Sequence, residues 1–257
     1  MVFAMVNRRR GLYLLPNLLT TGAMFAGFYA IVAGINGNFE AAAIAIFIAM
    51  ILDGMDGRVA RLTNTQSDFG VQYDSLSDMV SFGLAPALVI YQWSLSGLGK
   101  LGWLGAFVYA AAAALRLARF NTQASTADKR YFQGLPSPSA AALIAGTVWC
   151  GEYFSIDGVA SFALFAFPAT MVAGILMVSN IRYNSFKQFD LKGRKPFVAG
   201  LVIVMIFVLI AIEPPLVLFL LALIYAVSGP VLTLIYIRRH RAARKVQDKR
   251  QVTDDAN

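Results

Sequence analysis

Four aspartates stand at positions 53, 56, 74 and 78, in two pairs separated by a stretch containing arginine and glycine. The first pair lies in Asp53-Gly54-Met55-Asp56-Gly57-Arg58-Val59-Ala60-Arg61, and Gly70, Asp74 and Asp78 follow. On an α-helix, offsets of three, four and seven return to one side, so Asp53, Asp56, Gly57 and Ala60 share a face. Asp74 and Asp78, four apart, share a face of the next helix. A short turn between the helices sets the two faces opposite each other and gathers four carboxylates. Such a group repels itself, and a divalent cation offsets the repulsion directly. Oxygen donors without histidine or cysteine favour a hard ion, Mg²⁺ or Mn²⁺, over zinc.

Three uses compete for such a cluster. The acids can be helix-end caps paired with Arg58 and Arg61, or they can line the pathway of a divalent-cation transporter. They can also hold a nucleotide diphosphate through metal. Gly57 and Ala60 support the third use, because small residues on the acidic face leave room for a bulky ligand. They also suit tight helix packing. Arg61, one turn beyond Gly57, is placed to pair with a phosphate.

The elements that carry these residues are apolar. The chain has 257 residues, of which 58% are hydrophobic and only 14% charged. A soluble domain carries about 25% charged residues. Eight apolar segments can be drawn, roughly 13–36, 39–61, 72–95, 99–120, 137–154, 159–179, 196–213 and 215–237. Turn residues separate them at Gly34 to Asn38, Ser94 to Gly99, and Glu213-Pro214-Pro215. The expectation is an all-α polytopic membrane bundle of about eight transmembrane helices, with a single domain over 1–237 and a basic cytoplasmic tail over 238–257.

Positive charge orients this bundle. With both termini in the cytoplasm, 21 of the 22 lysines and arginines fall on that side, leaving only Lys100 outside. The net charge of +8 then reflects topology and contact with anionic lipid, so no nucleic-acid partner is expected. Cys150 is the only cysteine, which excludes an intrachain disulfide. Met1 to Arg10 leads into an apolar run that is long for a signal sequence and lacks an Ala-x-Ala site, so a retained first helix is expected.

The eight residues Asp53, Asp56, Gly57, Ala60, Arg61, Gly70, Asp74 and Asp78 match, in type and spacing, the signature Asp-x2-Asp-Gly-x2-Ala-Arg-x8-Gly-x3-Asp-x3-Asp. In this the chain resembles the CDP-alcohol phosphotransferases. The resemblance implies a helical bundle with a polar cavity open to the cytoplasm. It implies a metal pair held by Asp53, Asp56 and Asp74 with help from Asp78, which would also act as catalytic base. The cytidine nucleotide would lie over Gly57 and Ala60, with Arg61 and Gly70 in the same site. Members are often homodimers.

Further residues resemble one branch, the bacterial phosphatidylserine synthases. The first helix opens Pro16-Asn17-Leu18-Leu19-Thr20, with Asn17 and Thr20 able to reach the nucleotide. The fourth segment ends Leu115-Arg116-Leu117-Ala118-Arg119-Phe120-Asn121, and Gly134-Leu135-Pro136-Ser137-Pro138 follows. Arg116 suits the carboxylate of a serine acceptor, with Arg119 and Asn121 nearby, although both arginines also serve as positive-inside anchors. Gly134 to Pro138 can equally be a rigid loop. The implied reaction is CDP-diacylglycerol plus L-serine giving phosphatidylserine and CMP, in an inner or plasma membrane. Glycerol 3-phosphate and an inositol phosphate are the alternative acceptors.

Overall fold

The computed structural model describes residues 2–123, 131–155, 160–184 and 196–254, with side chains described over 14–123, 133–155, 162–183 and 200–236 and at Arg238. Lys129, Arg130, Lys187, Lys192, Arg194 and Lys195, all used to orient the bundle, lie outside the described residues.

Helix α1 (Val2–Ile35) leads into α2 (Phe39–Thr63), and the two pack along each other. Asn38 caps α2 by accepting from the Ala41 N–H at 3.2 Å. The helix ends at Asn64, in the left-handed conformation that a helix C-terminus favours. Helix α3 (Asp68–Asp78) starts at Ser67, whose hydroxyl accepts from the Gly70 N–H. The third apolar segment then departs from the single helix expected over 72–95. A π-helical turn (Met79–Leu84) separates α3 from α4 (Ala85–Trp93). Pro86 at the start of α4 interrupts the regular ladder there because it has no N–H.

Helices α5 (Lys100–Gln123), α6 (Ser137–Tyr153) and α7 (Ala160–Val178) follow, then α8 (Pro196–Ile212) and α9 (Pro214–Asp254). Helix α9 runs without a break through position 238, so the tail continues the last helix rather than starting a separate element. Two three-residue strands, β1 (Tyr131–Gln133) and β2 (Arg182–Asn184), pair antiparallel with Phe132 opposite Tyr183. They clasp the connection before α6 to the segment after α7. Periodicity gave no sign of them.

Among the described residues, three helical stretches are long and apolar enough to cross a membrane: Leu14–Ile35, Lys100–Gln123 and Pro214–Tyr236. Phe162–Val178 and Gly200–Ile212 are shorter apolar helices. The distribution of residue sizes is inverted relative to a soluble protein. Large side chains such as Phe25, Leu164 and Phe207 face outward, 70%, 80% and 67% exposed, while the centre is rich in alanine. Ala30, Ala42, Ala43, Ala49, Ala113 and Ala145 are fully buried. Small residues let helix backbones approach closely where lipid removes the hydrophobic drive to associate.

At the end of the bundle remote from the aspartates, three carboxylates meet aromatic donors. Trp93 donates to Glu152 at 2.8 Å, Tyr153 to Glu213 at 3.0 Å and Trp149 to Glu40 at 3.4 Å.

Candidate active site

Helix α2 delivers Asp53 and Asp56 one turn apart, and α3 delivers Asp74 and Asp78 one turn apart. One carboxylate oxygen from each of Asp53, Asp56 and Asp74 lies within 4.8 Å of the others. Asp78 is half-buried and stands against Asp53, within hydrogen-bonding reach. The four acids therefore form two layers. Asp56 and Asp74 are nearer the α2–α3 turn, and Asp53 and Asp78 lie one turn further from it.

Next to the outer layer is a cavity of about 300 Å³. Asn17 and Thr20 from α1, Asp56, Gly57, Ala60 and Arg61 from α2, and Gly70 and Asp74 from α3 line it. Thr65, Gln66 and Ser67 of the connecting turn complete the wall. Their contribution was missed because polar turn residues carry no distinctive spacing. A Cβ at Gly57 would meet only Arg61 Nη1, at 3.5 Å, so the guanidinium folds back over the open glycine. Gly70 plays a different part: a Cβ there would sit 3.2 Å from Ser67 Oγ, crowding the hydroxyl that caps α3.

Thr20 is buried, and its hydroxyl donates to Asp56 Oδ2 at 2.6 Å. Helix α1 also fixes α3 through its own backbone, since Ser77 donates to Thr20 O at 3.0 Å. Asp74 Oδ1, in contrast, is buried with no hydrogen-bond partner.

A hard divalent cation fits this donor set. Two unit charges about 5 Å apart repel by about 3 kcal/mol at an effective dielectric of about 20. Three ionised carboxylates at such spacing need a counter-charge, and the orphaned Asp74 oxygen needs a partner. Oxygen donors from Asp53, Asp56 and Asp74 supply what Mg²⁺ or Mn²⁺ coordinates.

On the inner side, α5 brings Arg116 into the bundle. It is buried, lies near enough to Asp78 for their charges to interact, and donates from Nη1 to Ser137 Oγ at 2.9 Å, while its Nε has no partner. Ser137 reaches it because the preceding segment is fixed against the end of α7. Gly134 has φ +74°, and a Cβ there would run into Met177 O. Its N–H donates to Ile181 O at 2.8 Å, and that of Leu135 to Leu176 O at 2.9 Å. These bonds anchor the loop and set Ser137 against Arg116.

The other two acceptor candidates are engaged elsewhere. Arg119 donates to Val178 O at 3.0 Å and to Asn180 at 3.4 Å, tying α5 to the end of α7. Asn121 bonds Ser75 of α3, its Nδ2 donating at 2.9 Å. Of the three, only Arg116 is brought to the aspartates.

Residues 13–179 match the family model of CDP-alcohol phosphatidyltransferases, a span holding all thirteen candidate residues. The chain belongs to this family. Among similar proteins is the CDP-diacylglycerol–serine O-phosphatidyltransferase of Helicobacter pylori (strain ATCC 700392 / 26695), 40% identical over 178 residues, covering 69% of this chain and 74% of the relative. The protein of the same name from Mycobacterium bovis is 39% identical over 181 residues, covering 67% and 62% of the two chains. The archaetidylserine synthase of Methanothermobacter thermautotrophicus is 35% identical over 171 residues, covering 66% and 69%. In this CDP-alcohol phosphatidyltransferase, then, the family signature coincides with the two-layered acid cluster and the cavity beside it.

Proposed function

We propose that the chain transfers the phosphatidyl group of CDP-diacylglycerol to the hydroxyl of L-serine, giving phosphatidylserine and CMP. The observation that carries the choice of acceptor is Arg116, a buried guanidinium with a free Nε beside Asp78. A serine carboxylate is a two-pronged partner for it. Glycerol 3-phosphate and inositol phosphate bring a dianionic group, which calls for a denser basic pocket than this one cation.

Within this proposal, Asp53, Asp56 and Asp74 hold Mg²⁺ or Mn²⁺, with Asp78 adjoining. A divalent metal held there would supply counter-charge for the diphosphate oxygens and the CMP leaving group. Asn17, Gly57, Ala60, Arg61 and Gly70 receive the nucleotide, with Gly57 and Ala60 giving clearance and Arg61 closing over it. Thr20 orients Asp56. Asp78 takes the proton from the serine hydroxyl, and Arg116 holds the serine so that this hydroxyl meets the phosphorus in line with the leaving oxygen.

The proposal also takes the protein as an inner (plasma) membrane enzyme with eight spans, both ends and the active site cytoplasmic. Its support is the charge asymmetry, together with Trp93, Trp149 and Tyr153 gathered at the opposite end, as aromatic residues gather at a membrane interface.

Purified protein in detergent, given CDP-diacylglycerol, Mg²⁺ or Mn²⁺ and serine, should release CMP and form phosphatidylserine, and excess EDTA should stop both. CMP release with glycerol 3-phosphate but not serine would replace the acceptor. Undiminished turnover in EDTA would remove the metal.

A further inference from the structure

Proline leaves the carbonyl four residues before it without its helical donor. At Pro86 that carbonyl belongs to Phe82, and the Tyr109 hydroxyl of α5 donates to it at 3.1 Å. At Pro230, inside α9, the corresponding carbonyl belongs to Ala226, and the Tyr183 hydroxyl donates to it at 2.9 Å. Both tyrosines are fully buried. Twice, a neighbouring element supplies a tyrosine to a carbonyl that a proline has orphaned.

The first instance adjoins the chemistry. Phe82 lies in the π turn that begins on the residue after Asp78, and the turn is closed by the Ala85 N–H donating to Val80 O. It is held from both sides. On the α1 side, Ser81 donates to Ala23 O at 3.0 Å, and Gly27 packs so closely that a Cβ would come within 2.6 Å of Ser81. On the α5 side stands Tyr109. An α-helix turns once per 3.6 residues, so removing the one extra residue of the π turn would rotate Asp78 by about 100° relative to α4. Single-turn π segments recur at functional sites.

We propose that Tyr109 is a positioning residue for Asp78: its hydroxyl completes the Phe82 carbonyl, holds the π turn, and so keeps the Asp78 carboxylate beside Asp53 and Arg116. This rests on Asp78 being the base of the reaction proposed above.

The test uses the full chain in detergent, with Tyr109→Phe alone and combined with Pro86→Ala. Residue 86 in the double variant regains an N–H for Phe82, which satisfies the carbonyl but lets the turn become α-helical. The single variant should lose at least tenfold in kcat, with KM for both substrates within threefold of the unaltered protein, and should melt at a lower temperature. The double variant should melt near the unaltered protein yet keep the low kcat. Tyr109→Phe with kcat within twofold of normal would overturn the proposal, as would recovery of kcat together with stability in the double variant. Should the single variant not fold, the double variant decides alone: low kcat supports the proposal and normal kcat ends it. An unaltered protein that releases no CMP with serine would overturn the proposed function and this inference together.

Discussion

Thr20 Oγ1 lies 2.6 Å from Asp56 Oδ2 and 3.0 Å from Pro16 O, so one hydroxyl hydrogen faces two acceptors. The carboxylate is the nearer, and the threonine bridges α1 to the outer layer of the acid cluster. Its spacing in the sequence suggested a nucleotide contact. Its geometry makes it an orienting group for a proposed metal ligand, although its side of the cavity is shared with the nucleotide.

Thr20→Val keeps the shape and removes the hydrogen. Groups that orient metal ligands contribute roughly 10–100-fold to metal affinity or activity. CMP release measured against Mg²⁺ concentration should therefore show at least a tenfold higher metal requirement, with much of the rate regained at saturating metal. Thr20→Ser should behave like the unaltered protein. An unchanged metal dependence in Thr20→Val, with a raised KM for CDP-diacylglycerol, would return Thr20 to the nucleotide.

Gly57 presents a separate case, since nothing packed limits a side chain there apart from the movable Arg61 guanidinium. Gly57→Leu should fill the cavity without disturbing the bundle, and replacing glycine within a helix favours the fold by up to about 1 kcal/mol. The expected outcome is an unchanged or raised melting temperature, a KM for CDP-diacylglycerol at least tenfold higher, and a serine KM within twofold. Gly134→Ala should do the reverse and lower the melting temperature, because its φ is positive and Met177 O blocks the Cβ.

Asp78 stands against Asp53, and neither is among the residues lining the cavity to which Asp56 and Asp74 contribute. Asp78→Asn keeps the volume of the side chain and removes its basicity. Turnover should fall by at least a thousandfold, on the order of what a positioned general base contributes with some loss of metal support. Binding of CDP-diacylglycerol, read by isothermal titration or by protection against melting, should stay within about threefold. Near-normal turnover would remove Asp78 as the base.

The signature aspartates were legible because helical periodicity alone puts residues three and four apart on one face, and a short turn reverses the chain. Their division into two layers was not, since it depends on how α2 and α3 are offset. The π turn had a readable cause in Pro86, a proline within an apolar run, but its partner Tyr109 comes 27 positions after Phe82, in α5. Arg119 and Asn121 show where local pattern runs out. Their residue types suggested acceptor chemistry, whereas Val178 O and Ser75 claim them through tertiary contacts that no local pattern reveals.

Arg116 combines the two kinds of knowledge. Its type and its place at the end of the fourth apolar segment suggested an anion site, and its partner Ser137 came from packing of the loop before α6. With Nη1 fixed by Ser137 and Nε free, the guanidinium is held in one orientation beside Asp78. Arg116→Lys keeps a positive charge but loses the planar fork that matches a carboxylate. The serine KM should rise at least tenfold, while KM for CDP-diacylglycerol stays within twofold. Ser137→Ala leaves the charge in place and frees its direction, so the serine KM should rise by a smaller factor, about threefold to fivefold, equivalent to roughly 0.6–1 kcal/mol and within the range of one ordinary hydrogen bond. Ethanolamine, which lacks the carboxylate, supplies the control. Its turnover, however slow, should be unchanged by Arg116→Lys, because no carboxylate is left for the fork to hold. An equal loss with serine and ethanolamine would mean that Arg116 supports the Asp78 layer rather than reading the acceptor.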